Sequence, residues 1–196
     1  MIQKLNIGTT LAALVLFFLP WTDIRCSDKS LATQTGIQTI YGGGSPSADM
    51  EAFEKEQSEK SAGEKMGESM GYAPLVAIAL LAVIGAVVAA FISLRSDNEA
   101  HKTMVGIFCA VALALLAAQM MIGFPAKKKL GESMAGASKE QSHGDDPMAG
   151  VGEGMAAAMM MNFQVRHLPA LYIEVIMLGL PTLVLANGLI DKLKKK

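Results

Sequence analysis

The sequence predicts an all-α integral membrane protein with four transmembrane helices, and three observations support this fold class. Of the 196 residues, 52% are hydrophobic, and the formal net charge is only −1. Three apolar runs reach the roughly 20 residues that a helix needs to cross about 30 Å of hydrocarbon. The apolar content comes chiefly from Ala, Gly, Leu and Met, and small residues are typical of helices that pack closely in lipid. The near-neutral charge gives no basis for nucleic-acid binding.

The four predicted helices belong to a single membrane domain, 1–196, and cover about residues 5–21, 74–94, 103–124 and 168–190. The first run is short and follows Lys4, so a cleaved signal peptide is the alternative to a retained helix. Cleavage requires small residues one and three positions before the cut, and the residues after the run offer no such pair. We therefore expect a retained helix, with Trp21 as an aromatic anchor at the membrane surface.

The distribution of basic residues predicts the orientation in the cell membrane. Lys and Arg are densest in three short segments, which are residues 1–4, 95–102 and 191–196. Because short cytoplasmic segments are enriched in Lys and Arg, both termini are expected in the cytoplasm. The long loops, 22–73 and 125–167, are then periplasmic or extracellular. The lysines at 127–129, directly after the third helix, favour the opposite orientation.

The first long loop has three compositional parts. Partial alternation over residues 24–41 predicts a short β-hairpin. Residues 42–47 are rich in Gly and Ser and mark a break. Residues 49–69 mix Glu and Lys and predict a solvated helix.

The two halves of the chain share an order of features. Gly-Glu-Ser-Met occurs at 67–70 and again at 131–134, and a proline opens the next helix each time, at Pro74 and Pro169. A duplication would make the protein two tandem helix hairpins, whereas biased composition would also repeat these residues. In the second loop, residues 155–161 predict a helical turn.

Small residues recur every fourth position in the second and third helices. Residues four apart share a helix face, so each stripe permits close approach of a neighbouring backbone. The short connection, 95–102, predicts that these two helices are antiparallel neighbours. The candidate packing residues are Ala82, Ala86, Ala90, Gly106, Ala110, Ala114 and Ala118.

Glu174 is the one acidic or basic residue within the predicted spans, and Gln119 lies at a similar depth. A carboxylate is costly in lipid, so it is expected to face the bundle and find donors. We therefore predict a Gln119–Glu174 hydrogen bond. The functional interpretation is a proton or cation site, and the structural one is a polar contact between helices.

Methionine is in excess, with fourteen residues. Thioethers bind Cu(I), so His143, Met148, Met155 and Met159 form a candidate copper site in the second loop. Methionine also fills irregular apolar surface, which is the commoner role. No zinc-protease, serine-hydrolase or phosphate-loop motif is present, so we expect neither catalysis nor a cofactor.

Leu19-Pro20-Trp21, Cys26 and residues 31–36 resemble the start of uncharacterised four-helix membrane proteins of bacteria, which implies no activity. Trp21 and Cys26 are also similar to claudin-type first loops, but the second cysteine and the usual aromatic spacing are missing. The sequence favours a non-catalytic membrane protein that acts by association, through self-assembly or as an accessory or structural subunit. The alternatives are a small transporter or channel that uses Glu174, and copper handling by the second loop.

Overall fold

A computed structural model of the chain describes residues 2–26, 29–47, 71–96, 99–125 and 163–194. The helices within these residues are α1 (Ile2–Leu16), α2 (Gly36–Tyr41), α3 (Pro74–Arg95), α4 (Glu99–Ile122) and α5 (Pro169–Lys194). The strands are β1 (Pro20–Cys26), β2 (Lys29–Thr35), β3 (Ser45–Pro46) and β4 (Phe163–His167). The protein is therefore mostly helical, with a small sheet.

The four long helices pack as a bundle. α1 and α4 each contact both α3 and α5, and α3 and α4 are the most closely associated pair. α3, α4 and α5 are long and apolar enough to cross a membrane, whereas the apolar part of α1, Asn6–Leu16, is shorter. The described residues thus contain three candidate membrane-spanning helices, compatible with a membrane protein.

Two prolines fix where helices begin. Pro74 is the first residue of α3, after the N-cap residue Ala73, and Pro169 is the first residue of α5. Proline is tolerated there because the backbone N–H that it lacks would have no partner within the helix. α5 continues as one helix through Pro181.

α1 ends at Leu16, five residues before the end that the sequence predicted. The backbone N–H groups of Phe18 and Leu19 bond back to the carbonyl groups of Val15 and Leu16 in a tight turn. Pro20 then begins β1, because the residue before a proline is disfavoured in the helical conformation.

The sheet has the strand order β3-β2-β1-β4, and every neighbouring pair is antiparallel. β1 and β2 form the hairpin expected in the first loop, although it begins at Pro20 and α2 occupies the end of the predicted range. β4 comes from the second loop and pairs with β1 from Thr22↔His167 to Cys26↔Phe163. This pairing, which the sequence did not predict, joins the two loops in one sheet.

α2 fastens the sheet to the helices. Thr35 and Gln38 form a reciprocal capping box at its start, and Gly42, with φ of 79°, ends it. The backbone N–H of Ile37 donates to the carbonyl oxygen of Phe17, beyond the end of α1. The N–H of Ala73, directly before α3, donates to the carbonyl oxygen of Thr39.

The predicted helix at 49–69, the helical turn at 155–161 and both Gly-Glu-Ser-Met copies lie outside the described residues.

Candidate functional site

Glu174 is the most unusual polar group in the bundle. It lies in the second turn of α5, and none of its surface is exposed. Neither carboxyl oxygen accepts a hydrogen bond from any residue that the structure describes. Burying a carboxyl group without donors costs about 1–3 kcal/mol or more. An acidic residue inside a candidate membrane span is therefore a candidate functional group.

The predicted hydrogen bond between Gln119 and Glu174 is wrong. The Gln119 side chain is buried, but its Nε2 donates to the carbonyl oxygen of Gly123 at 2.8 Å. The N–H of Gly123 in turn donates to the Gln119 carbonyl oxygen at 2.9 Å. Carbonyl groups at the C-terminal end of a helix have no partner within the helix. The side-chain amide of Gln119 therefore donates to a carbonyl group at this end, that of Gly123, directly after α4. Gln119 therefore caps α4.

The predicted small-residue stripe of the second helix lies on its inner face, since Ala82, Ala86 and Ala90 of α3 are all buried. The predicted stripe of the third helix, α4, does not lie on one buried face. Gly106 is buried, but Ala114 is exposed. The inner face of α4 is instead formed by Val105, Cys109, Ala112, Leu116 and Gln119. Ala110 and Ala118 are half-buried at the margin of this face.

Gly106 serves the contact between α4 and α5. A Cβ atom on Gly106 would lie 2.6 Å from the Cβ of Leu185. Gly85 has the same role between α3 and α4, where a Cβ atom would lie 3.2 Å from the Phe108 ring. Glycine at both positions lets neighbouring helices approach closely, as is common in membrane bundles.

Trp21 connects three elements and is not the surface anchor that the sequence predicted. Its ring is fully buried and lies 4.7 Å, between centroids, from the ring of Phe17. Its carbonyl oxygen accepts a hydrogen bond from the N–H of Leu168 at 2.7 Å, directly before α5. A Cβ atom on Gly36 would lie 2.7 Å from the indole ring. Trp21 therefore fixes the sheet against α1, α2 and α5.

One face of the sheet carries a polar network. Asp23 accepts hydrogen bonds from Nε of Arg25 and Oγ of Ser30, both at 2.6 Å. Arg166 lies opposite Asp23 in the β1–β4 register and donates to Gln164 at 3.3 Å. Both Gln164 and Arg166 are exposed. β4, the last strand in the order, thus presents exposed polar side chains at one edge of the sheet.

His167 lies at the junction of sheet and bundle. Its ring centroid is 5.4 Å from that of Phe124, just beyond α4. Its Nδ1 atom is buried without a hydrogen bond to any described residue. Burial lowers the pKa of His167 from its ordinary value of 6.5, because the charged form loses hydration.

The ranges that the structure describes contain no cluster of three or more His, Cys, Asp or Glu residues able to hold a metal ion. The copper candidates His143, Met148, Met155 and Met159 lie outside those ranges, so the copper site stays a prediction.

Comparisons of the chain with protein families, with curated proteins and with solved structures found no match. The resemblance to uncharacterised bacterial four-helix membrane proteins therefore rests on residues 19–36 alone.

Proposed function

We propose that this chain is a four-span membrane protein that acts by association with other membrane-protein subunits, as an accessory or structural subunit rather than as an enzyme. The observation that carries the proposal is the pairing of β4 with β1. It joins the two long loops in a single sheet at one end of the bundle. Segments that only connected helices would need no shared sheet, whereas binding surfaces are commonly loops held on a rigid scaffold.

The packing of α1 supports four retained spans. Ala13 and Phe17 are fully buried in the core that α1 shares with α3 and α5. The 15 residues of α1 extend for about 22 Å, and the apolar residues 17–19 lengthen the segment. Cleavage of this helix as a signal peptide would expose the facing surfaces of α3 and α5.

The contacts of the sheet support an outer location for it. Backbone bonds tie it to the end of α1, to the start of α3 and to the start of α5, and His167 lies near the end of α4. The opposite end of the bundle carries Arg95, Lys102, Lys192 and Lys194. Because basic residues mark the cytoplasmic side, both termini are cytoplasmic and the sheet is outside.

The binding surface is the β4 side of the sheet. β4 is the last strand in the order, and no described strand pairs with its outer edge. An exposed strand edge offers backbone N–H and C=O groups to an extended segment of a partner. Arg166 adds a charged side chain beside that edge.

The experiment is purification of the full chain from its native membrane in mild detergent, with the mass of the particle measured by light scattering. We expect a complex with a partner in fixed stoichiometry. Arg166→Glu should reduce the partner's occupancy, because it places a negative charge beside the edge and opposite Asp23. Arg95→Glu, the same change at the other end of the bundle, is the matched control. A particle of one chain alone, or equal loss with both variants, contradicts the proposal.

Glu174 supports a second candidate, a proton or cation pathway through the bundle. The supporting observation is the fully buried carboxyl group without a described donor. The test is proton or Na⁺ flux into vesicles that contain the purified chain, compared with Glu174→Gln vesicles. Flux that requires the carboxyl group would favour transport, and equal flux in both preparations would reject it.

A further inference from the structure

A cleft of about 700 Å³ opens at the end of the bundle away from the sheet, between α1, α4 and α5. This volume is within the range of about 300–1,000 Å³ that is usual for small-molecule sites. Six of its polar lining residues are Asn6, Glu99, Lys102, Asn187, Asp191 and Lys192. Apolar side chains of α5, among them Leu185 and Leu189, line the remainder.

Asn6 is the buried polar group in this cleft. It is only 7% exposed, and its Oδ1 atom accepts no hydrogen bond from any described residue. Its backbone oxygen, by contrast, accepts from the hydroxyl groups of Thr9 and Thr10 at 3.0 and 2.8 Å. A buried acceptor without a donor is costly, so a ligand that brings an N–H or O–H group would be stabilised here.

The charged side chains of the cleft have both signs. Glu99 and Asp191 supply carboxylates, and Lys102 and Lys192 supply ammonium groups. Nζ of Lys102 lies 3.4 Å from Oε1 of Glu99, so these two side chains form an ion pair. The cleft therefore suits a ligand that carries a positive and a negative group close together.

The position of the cleft restricts the chemical class of the ligand further. It lies at the first turn of α4 and along the C-terminal half of α5, and it reaches the polar helix ends, which in membrane proteins meet the headgroups of lipids. Its mixed lining matches a polar headgroup joined to an apolar chain. We propose that the cleft binds a phospholipid with a primary ammonium headgroup, phosphatidylethanolamine. The ammonium donates to Asn6 and Asp191, and the phosphate contacts Lys192.

This assignment predicts discrimination among lipids. A choline headgroup carries the same charges but has no N–H, so it cannot satisfy Asn6. A glycerol headgroup has hydroxyl donors but no positive charge for Asp191. Because a hydrogen bond from a charged donor is stronger than one between neutral groups, we expect about tenfold tighter binding of phosphatidylethanolamine than of phosphatidylcholine or phosphatidylglycerol.

The test is native mass spectrometry of the purified full chain, titrated with these three lipids carrying identical acyl chains. Asn6→Leu should lower the affinity for phosphatidylethanolamine about tenfold and leave that for phosphatidylcholine unchanged. Asp191→Asn should lower the affinity for both of these lipids, whose headgroups carry a positive group, and leave that for phosphatidylglycerol unchanged. Lys194→Gln is the matched control, since Lys194 is exposed on the same helix end and does not line the cleft. If Asn6→Leu does not fold, Asp191→Asn alone decides.

Equal binding of all three lipids by the wild type would overturn the proposal, as would unchanged discrimination between phosphatidylethanolamine and phosphatidylglycerol in Asp191→Asn. Tightest binding of phosphatidylglycerol would also overturn it and would make the cleft a site for anionic lipid.

Discussion

The indole Nε1 of Trp21 donates a hydrogen bond to the carbonyl oxygen of Leu16 at 2.8 Å. Leu16 is the last residue of α1, so this carbonyl group has no partner within the helix. The ring adds a second donor to the backbone N–H of Leu19, which bonds the same carbonyl oxygen, and the ring is itself completely buried. An indole at the lipid surface, as the sequence alone predicted, would have neither property.

Trp21 is the only tryptophan of the chain, so its fluorescence tests this burial directly. We expect blue-shifted emission that neither acrylamide in solution nor brominated lipid quenches strongly, because the protein encloses the ring. Unfolding in denaturant should shift the emission to the red and restore quenching. Strong quenching by brominated lipid in the folded protein would place the ring at the membrane surface instead.

Gly36→Ala should destabilise the protein by about 1–3 kcal/mol, the usual cost of overpacking. The added methyl group would lie 2.7 Å from the indole ring and 3.0 Å from the carbonyl oxygen of Phe17. Thermal unfolding in detergent, followed by Trp21 fluorescence, measures the change.

Gly179→Ala is the control for that substitution. A Cβ atom there meets no atom within 4 Å, and alanine in a helix interior is favoured over glycine by about 0.5–1 kcal/mol. An unchanged or higher Tm is therefore expected for Gly179→Ala. Equal effects of the two substitutions would mean that the contact between Gly36 and Trp21 is loose.

The apolar runs predicted the long helices because their length and lack of charge are local properties. The strand Phe163–His167 was missed because its five residues form a strand only through pairing with β1, far away in the chain. Spacing correctly placed Ala82, Ala86 and Ala90 on one buried face. In an alanine-rich helix, however, spacing does not decide which face turns inward, so Ala114 is exposed while Ala112 is buried.

The predicted Gln119–Glu174 bond failed for a different reason. The sequence places Gln119 and Glu174 at a similar height on two different helices. That similarity does not decide whether the Gln119 amide donates to Glu174 or to a carbonyl group of its own chain segment. The carbonyl oxygen of Gly123 is four residues from Gln119 and accepts its amide. The helix end, only three residues beyond Gln119, was the sequence signal for capping.

Acid should loosen the junction between sheet and bundle through His167. Its pKa is lowered in the folded protein by burial, so the unfolded chain binds the proton first as the pH falls. Stability therefore decreases below about pH 6.5, the ordinary value, and is unaffected by this group well above it. His167→Gln keeps a polar side chain without titrating, so its Tm should depend less on pH between 7 and 5. The same pH dependence in both proteins would assign the effect to another group.

Glu174→Leu should stabilise the protein. The carboxyl group is fully buried and receives no hydrogen bond from a described residue, and leucine has a similar volume without polar atoms. Replacing an unsatisfied buried polar group by an apolar one removes a cost of about 1–3 kcal/mol. Glu174→Gln keeps polar atoms at the position and should change the stability less.

Thermal unfolding of wild type, Glu174→Leu and Glu174→Gln in the same detergent tests this order. A stabilised Glu174→Leu protein would mean that the acid opposes folding, and an acid kept at such a cost is expected where activity needs it. The flux assay should then lose its signal with both variants. A Glu174→Leu protein that is less stable than Glu174→Gln would show that the carboxyl group has a donor in the folded protein, and its role would be structural.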